Sequence, residues 1–205
     1  MSREQKKTGG FPLGVDKVIF LDIDGVIRPH GVDKFYEKFN ENDYLSLFDQ
    51  LYKKFNIDYS IYNPVTVANV YFSWSVKAIS LVKKVIDQTG AKIVLSSDWK
   101  LYSYEMMKDL FTIHGLDKFY IDNTEDIPFE KYKEIINDKN YSITELIRTT
   151  EILYYVKLHP EIKRFVAIDD LELRLDLNEN FINTRIHDYF TENDAKLCIK
   201  FLNNS

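Results

Sequence analysis

Short apolar runs alternate along the chain with segments of helical periodicity. Five runs are predicted to be strands: residues 17–22, 91–96, 118–121, 164–169 and 183–187. Four segments with apolar residues at helical spacing are predicted to be helices: residues 74–89, 101–113, 144–158 and 191–202. Strands that alternate with helices are typical of an α/β fold. We therefore expect a Rossmann-like three-layer core with a central parallel sheet.

Polar and chain-breaking residues mark the ends of three predicted helices. Gly90 follows the first helix and is the expected C-terminal cap. His159 and Pro160 end the third helix, because a proline disfavours helical backbone at the residue before it. Thr191 precedes the last helix and is its expected N-cap.

Two segments lie outside this alternation. Residues 1–14 are charged and then broken by glycine and proline, which predicts a flexible tail before one domain over residues 15–205. Residues 28–73 hold eleven of the thirty Phe, Tyr and Trp residues in less than a quarter of the chain. We expect this segment to be a small cap insertion after the first strand. Its aromatic side chains either form a core of their own or face the substrate, and the two roles are compatible.

Composition narrows the class of protein. A length of 205 residues with 45% hydrophobic content fits a single globular domain and excludes disorder for most of the chain. The net charge of −5 argues against extended nucleic-acid binding, but it allows contact with one phosphorylated end. Cys198 is the only cysteine, so an internal disulfide and a two-cysteine metal site are excluded. With a polar N-terminus and no apolar run near the roughly 20 residues of a membrane span, the chain is expected to be cytoplasmic and free of membrane contact. Export as an effector stays an open alternative.

The strongest chemical signal is the sequence Asp22-Ile23-Asp24-Gly25, where the first buried strand ends. Two carboxylates two residues apart on extended backbone point to the same side, and Gly25 allows a sharp bend after them. Acids this close repel each other, so a cation or a proton must compensate. The alternative is a solvated turn, because Asp and Gly are common turn residues. A calcium loop fits poorly, since the next two residues are apolar where oxygen ligands would be needed.

Polar residues also follow two other predicted strands. Asp169 and Asp170 end the fourth strand, and Ser96 and Ser97 end the second. Ligands of open α/β sheets bind at the carboxyl ends of the strands. We therefore expect the acids to supply oxygen ligands for Mg²⁺, and the serines to bind a phosphate oxygen. Taken alone, the acid pair also fits a turn or helix cap and the serines fit a helix N-cap. Trp99, two residues after Ser97, is predicted to be a packing residue, and the alternative is a platform on which a base stacks.

A cation aimed at this edge of the sheet would neutralise a phosphoryl group. Arg148, in the third predicted helix and twenty-one positions before Asp169, is the first candidate. Lys139, Lys157 and Lys163 are competing candidates, and the alternative for Arg148 is a solvated position on the helix surface.

In order and spacing, these features resemble the four motifs of the haloacid dehalogenase (HAD)-like hydrolases. The resemblance extends from about residue 15 to the C-terminus. Three stretches are most similar to the HAD domain of multidomain Swiss army knife RNA-repair proteins: Leu-Asp-Ile-Asp-Gly-Val-Ile-Arg, Leu-Ser-Ser-x-Trp-Lys and Arg148-x-x-Glu151-Ile. The chain departs from related enzymes in carrying Asp98 before Trp99.

The resemblance implies a Mg²⁺-dependent phosphatase or phosphomutase. Asp22 is the implied nucleophile that forms an aspartyl-phosphate, and Asp24 is the implied general acid and base. The implied phosphate ligands are Ser96, Ser97 and Arg148. The implied magnesium ligands are Asp22, the backbone carbonyl of Asp24, Asp169 and Asp170.

We therefore expect hydrolysis of a phosphomonoester. The expected substrate is a small phosphorylated metabolite, a nucleotide or a phosphorylated nucleic-acid end. The alternative is a catalytically silent regulatory module that keeps the fold and binds metal or phosphate. The presence of every motif acid favours the enzyme, whereas Mg²⁺ binding without turnover would favour the module.

Overall fold

A central sheet of five parallel strands organises the molecule. The computed structural model describes residues 11–128, 142–173, 177–185, 187 and 189–204. The strands are β1 (Lys17–Leu21), β2 (Lys92–Leu95), β3 (Tyr120–Asn123), β4 (Arg164–Asp169) and β5 (Phe181–Asn183). Their order in the sheet is β3-β2-β1-β4-β5, and every pairing is parallel. The central strand β1 thus has β2 on one side and β4 on the other, which confirms the expected α/β class.

Helices account for most of the remaining described residues. The α-helices are α1 (Glu41–Phe55), α2 (Pro64–Ser73), α3 (Val76–Thr89), α4 (Tyr104–Thr112), α5 (Ile143–Leu158) and α6 (Glu192–Asn203). Short 3₁₀ turns cover Phe35–Lys38, Tyr59–Ile61, Asp98–Leu101 and Asn178–Asn180. Gly90 ends α3 in the left-handed conformation, and Thr191 begins α6 with a capping box, so both predicted caps are confirmed.

Alternate residues of β1 face opposite layers of the fold. Ile19 and Leu21 pack in a core built largely from α3, α4 and α6, whereas Val18 and Phe20 pack with Tyr155 of α5 on the other face. This period of two is what an extended strand imposes. A strand covered on both faces needs apolar residues at every position, which explains the uninterrupted apolar run in the sequence.

The insertion at residues 28–73 contains α1, α2 and two of the 3₁₀ turns. Its buried side chains, including Tyr36 and Leu51, belong to the same continuous core as the β1 face that packs on α3. The Tyr59 hydroxyl donates to the backbone carbonyl of Asp109 at 2.8 Å, and the Tyr62 hydroxyl donates to the Asp109 carboxylate at 2.6 Å. These contacts fasten the insertion to α4. Its role as a cap over the site stays a prediction.

Two predicted elements differ from the observed ones. The strand expected at 183–187 is wrong in position, because β5 ends at Asn183. Phe181 and Ile182 are buried and pair with β4, whereas the following Thr184 uses its side chain to bind a loop. The helix expected at 101–113 is preceded by a 3₁₀ turn and begins at Tyr104, because Ser103 caps α4.

The predicted tail spans residues 1–14, and residues 1–10 lie outside the part of the chain that the structure describes. No single helix in the described segments has the length and apolar character needed to cross a membrane, and α2 and α3 meet that test only together, as a pair bent by 76°.

Candidate active site

The candidate site lies where three neighbouring strands end. Asp22 follows β1, Ser96 follows β2, and Asp169 closes β4. The Asp22 N–H donates to the carbonyl of Ile168 at 3.0 Å, and the Ser96 N–H donates to the carbonyl of Leu21 at 3.0 Å. Parallel pairing therefore continues to the strand ends and places the polar residues at one edge of the sheet, where ligands of such folds bind.

Asp22, Asp169 and Asp170 form a compact acidic group at this edge. One carboxylate oxygen from each residue lies within 4.8 Å of the others. Asp22 is only 5% exposed and Asp169 only 1%, so bulk water screens neither charge well. Carboxylate oxygens are the donors that Mg²⁺ prefers, and the group fits such an ion. The Asp24 carboxylate is not part of this group, and a contribution from its backbone carbonyl stays a prediction.

The guanidinium of Arg148 sits between the acids. Its Nη1 donates to Asp22 Oδ1 at 3.1 Å, to Asp169 Oδ2 at 2.8 Å and to the backbone carbonyl of Ser96 at 2.5 Å. Its Nη2 donates to the exposed carboxylate of Asp98 at 3.3 Å. Helix α5 covers the sheet on the Tyr155 side and delivers this side chain to the strand ends. The structure thus brings Arg148 to the predicted position.

The competing lysines lie elsewhere or outside the described residues. Lys157 is exposed at the end of α5, and Lys163 lies just before the start of β4, at the opposite edge of the sheet. Lys139 falls in a segment that the structure does not describe. Among the candidates within the described residues, Arg148 is the one whose position fits phosphate binding.

Burial dominates the electrostatics of the two central acids. It raises the pKa of Asp22 from 3.8 to about 6, against the opposing effects of Arg148, the Ser97 hydroxyl and the Ile23 N–H. Burial and then the charge of Asp22 raise the pKa of Asp169 well above its ordinary value. The single positive charge of Arg148 therefore does not fully neutralise the negative charge of the acidic group, and the site favours the binding of a further cation.

The Asp24 carboxylate binds two side chains that lie outside the acidic group. Arg28 Nη1 donates to Asp24 Oδ1 at 2.6 Å, and the indole Nε1 of Trp99 donates to Asp24 Oδ2 at 3.0 Å. The sequence did not single out Arg28, and it predicted only packing for Trp99. Both contacts depend on the folded loop and are not visible in the spacing of the residues.

Gly25 is required by the turn that follows Asp24. Its φ is +72°, and its N–H donates to the carbonyl of Arg28 at 2.8 Å. A Cβ at this position would lie 2.8 Å from Cβ of Asp170 and 2.8 Å from Nε2 of His30. The buried Thr184 hydroxyl donates to the Gly25 carbonyl at 2.7 Å and anchors the turn from the other side. The sharp bend after the two acids is thus confirmed, and the close approach of Asp170 leaves room only for glycine.

The two serines have different environments. The Ser96 hydroxyl is buried and has no hydrogen-bond partner within the described part of the chain. A buried hydroxyl normally has a partner, so this one is suited to a ligand oxygen. The Ser97 hydroxyl lowers the pKa of Asp22 and also caps the 3₁₀ turn at Asp98–Leu101. The N-cap alternative therefore applies to Ser97 and is compatible with a place in the site.

A second basic side chain borders the site and was missed in the sequence. Lys100 Nζ lies 2.6 Å from Glu151 Oε1 and 2.9 Å from Asp126 Oδ1. Lys100, Glu151 and Arg148 line a cleft of about 170 Å³. The signal was present in the motif stretches themselves, because Lys100 follows Trp99 directly and Glu151 lies one helical turn after Arg148.

Comparison with known families supplies a decisive observation. A family model described as the HAD domain in Swiss Army Knife RNA repair proteins matches residues 18–195. The chain belongs to this family. The match covers β2 to β5, all of β1 except Lys17, and every residue of the site described above, which confirms the resemblance inferred from the motifs. Searches of curated proteins and of solved structures returned no match. Membership of the HAD family indicates a hydrolase of the phosphatase type, and this family is generally Mg²⁺-dependent.

Proposed function

We propose that this HAD domain is a Mg²⁺-dependent phosphomonoesterase that uses Asp22 as its nucleophile. The observation that carries the proposal is the convergence of Asp22, Asp169 and Asp170 with the Arg148 guanidinium at the ends of neighbouring strands. This arrangement combines a nucleophilic carboxylate, oxygen ligands for a divalent cation and a donor for phosphate oxygens. The same acids without a nearby hydrogen-bond donor would support metal binding alone.

In the first step, an Asp22 oxygen attacks phosphorus and the bond from phosphorus to the leaving oxygen breaks. Asp24 gives a proton to that oxygen, so the alcohol leaves in neutral form. In the second step, Asp24 takes a proton from water, and the water oxygen attacks the phosphorus of the aspartyl-phosphate. Asp22 is regenerated and inorganic phosphate is released.

We propose that Ser96, Ser97 and Arg148 bind the phosphoryl oxygens in both steps. The buried Ser96 hydroxyl donates to no group within the described residues, and the Arg148 Nη groups carry the positive charge. The Ser97 hydroxyl already acts on Asp22 and helps to fix the nucleophile. Mg²⁺ held by Asp22, Asp169, Asp170 and the Asp24 carbonyl would reduce the repulsion between the anionic carboxylate and the anionic phosphate.

The substrate classes that fit are a small phosphorylated metabolite, a nucleotide and a phosphorylated nucleic-acid end. The relatives in the matching family are RNA-repair proteins by description, which supports including nucleic-acid ends among the candidates. The net charge of −5 favours contact with an end over contact with a long polyanion.

The test is phosphate release with and without Mg²⁺ by the wild type and by Asp22→Asn. The substrates would be nitrophenyl phosphate, nucleoside monophosphates, sugar phosphates and oligonucleotides phosphorylated at either end. Asp87→Asn, at an exposed position of α3, is the matched control for the chemical change. We expect Mg²⁺-dependent release by the wild type and the control, and none by Asp22→Asn. Release by Asp22→Asn would contradict the proposal, and Mg²⁺ binding without any release would favour a silent binding module.

A further inference from the structure

We propose that Trp99 and Arg28 are positioning residues that hold the Asp24 carboxylate in the orientation needed for proton transfer. This inference rests on the proposed function, in which Asp24 exchanges protons with the leaving oxygen and with water. It assigns a polar task to Trp99, for which the sequence predicted only packing.

Each of the two donors binds a different oxygen of the Asp24 carboxylate. Arg28 Nη1 binds Oδ1 at 2.6 Å, and Trp99 Nε1 binds Oδ2 at 3.0 Å. One donor would leave the carboxylate free to turn about its own axis, whereas a donor on each oxygen fixes that rotation. A carboxylate has about four lone-pair sites, so both oxygens keep capacity for a proton or a substrate contact.

Arg28 comes from the same tight turn as Asp24. The Arg28 N–H donates to the carbonyl of Ile23 at 2.9 Å, and the Arg28 carbonyl accepts from the Gly25 N–H at 2.8 Å. The Arg28 side chain is 14% exposed, against 38% for Asp24. The turn therefore carries its own cation, and that cation is more buried than the carboxylate it binds.

Trp99 lies after the neighbouring strand β2 and is held by aromatic packing. It lies in the 3₁₀ turn at Asp98–Leu101, directly after the serines that end β2. Its ring makes edge contacts with Trp74 at 5.5 Å and with Tyr102 at 5.7 Å between ring centroids. These contacts set the position of the indole N–H before any substrate arrives, which is the condition for a useful positioning group.

The fixed orientation matters because proton transfer depends on geometry first. A general acid acts only within hydrogen-bond distance of the oxygen that receives the proton, and it contributes about 10²- to 10⁴-fold. With 38% of its side chain exposed, an Asp24 without these donors would sample several rotamers. Loss of one donor is thus expected to remove part of the general-acid contribution and to leave the nucleophile and the phosphate contacts in place.

The chain provides a matched pair of variants. Trp99→Phe removes the N–H and keeps an aromatic ring in the cluster. Trp74→Phe makes the same chemical change in the ring that packs against Trp99. The Trp74 indole nitrogen is buried and binds no group in the described residues, so its loss does not touch Asp24. Arg28→Met removes the second donor, and Arg28→Lys restores a positive charge.

The first experiment measures kcat/KM of the Mg²⁺-loaded enzyme on two substrates. Nitrophenyl phosphate has a good leaving group that needs little protonation, whereas an alkyl phosphate such as glycerol phosphate depends on the general acid. We expect Trp99→Phe and Arg28→Met to lose about tenfold or more on the alkyl phosphate and about threefold or less on the aryl phosphate. Arg28→Lys should recover part of the loss, and Trp74→Phe should affect both substrates equally.

A second measurement tests the contact without any turnover. The chain has two tryptophans, so a ¹⁵N–¹H spectrum shows two indole N–H signals, and Trp99→Phe assigns them. Asp24→Ala is expected to shift the Trp99 signal and speed its exchange with solvent, with a smaller effect on Trp74. An unchanged Trp99 signal would overturn the inference even if a kinetic variant folds poorly.

The outcomes separate this inference from the proposed function. If Asp22→Asn keeps Mg²⁺-dependent release, the proposed function fails and the positioning role fails with it. If Asp22→Asn is inactive but Trp99→Phe lowers kcat/KM equally for both substrates, as Trp74→Phe does, only the positioning role is overturned. A loss of kcat/KM that depends on the leaving group and is confined to Trp99→Phe and Arg28→Met supports both the proposed function and the positioning role.

Discussion

Replacing Asp22 by Asn should stabilise the metal-free protein at neutral pH while it removes the nucleophile. Burial raises the pKa of Asp22 to about 6, so above that pH the folded protein holds an ionised carboxylate in an unfavourable environment. Asparagine has nearly the shape of the neutral acid and carries no charge. Arg148 keeps the carboxylate of Asp169 and the carbonyl of Ser96 as partners in the variant.

The magnitude follows from the shift in pKa. A rise from 3.8 to about 6 corresponds to about 3 kcal/mol of unfavourable free energy for ionised Asp22. Because the folded state binds the proton more tightly than the unfolded state, the free energy of unfolding of the wild type falls as pH rises from about 4 to about 6. Below pH 4 the difference between wild type and Asp22→Asn should vanish, and above pH 6 it should reach a plateau of at most about 3 kcal/mol.

The assay is urea unfolding with a chelator present, at a series of pH values from 3 to 8, for the wild type, Asp22→Asn and the exposed control Asp87→Asn. Mg²⁺ added at neutral pH should narrow the gap between the wild type and Asp22→Asn, because an ion bound to ionised Asp22 stabilises the wild type more. A variant no more stable than the wild type at pH 7.5 would refute the reasoning. That result would mean that the ion pair with Arg148 outweighs the cost of burial.

Three further predictions concern the same core. Gly25→Ala should destabilise the fold by about 1–3 kcal/mol and reduce phosphate release, because the new Cβ would clash with Asp170. The control is Gly31→Ala, since Gly31 has a similar φ of +69° but open space around it. The loss of stability in that variant measures the cost of the backbone conformation alone. Arg148→Met should lower the free energy of urea unfolding by about 3 kcal/mol at pH 7.5, and by less at pH 5, where the acids take up protons. Cys198 is buried, and burial raises the pKa of its thiol well above the ordinary value. A thiol reagent should therefore modify the native protein only at the rate of unfolding. Fast modification without denaturant would contradict this burial.

The sheet and the acidic group were predictable because each rests on a local signal. After Lys17, strand β1 is apolar at every position, as a strand covered on both faces requires, and the acids lie at the ends of such strands or directly after them. Once two parallel strands are neighbours, their carboxyl ends meet, so Asp22 and Asp169 converge without further information. The short β5 lacked such a signal, because three residues carry no periodicity and its pairing with β4 is set by tertiary contacts.

The helices of the insertion had an available signal. Asn40 and Asp43 form a capping box at the start of α1, and Leu47 and Leu51 lie four residues apart on its buried face. The excess of aromatic residues pointed to a compact insertion but not to these boundaries.

The contacts of Asp24 could not be predicted from spacing. Arg28 reaches Asp24 because the turn after β1 folds back on itself, and Trp99 reaches it from the 3₁₀ turn after β2, seventy-five residues away. Both depend on three-dimensional placement, which is also why the sequence assigned Trp99 to packing alone.

The most direct test of the central claim is to trap the phosphorylated enzyme. The Mg²⁺-loaded protein would be mixed with nitrophenyl phosphate, quenched in acid within one turnover, digested and examined by mass spectrometry. Asp24→Asn, which lacks the base for the second step, should accumulate more of the adduct than the wild type. We expect a phosphoryl group on Asp22 of the wild type and of Asp24→Asn, and none in Asp22→Asn. A phosphoryl group on another residue, or complete phosphate release in a single turnover with no adduct in either protein, would contradict it.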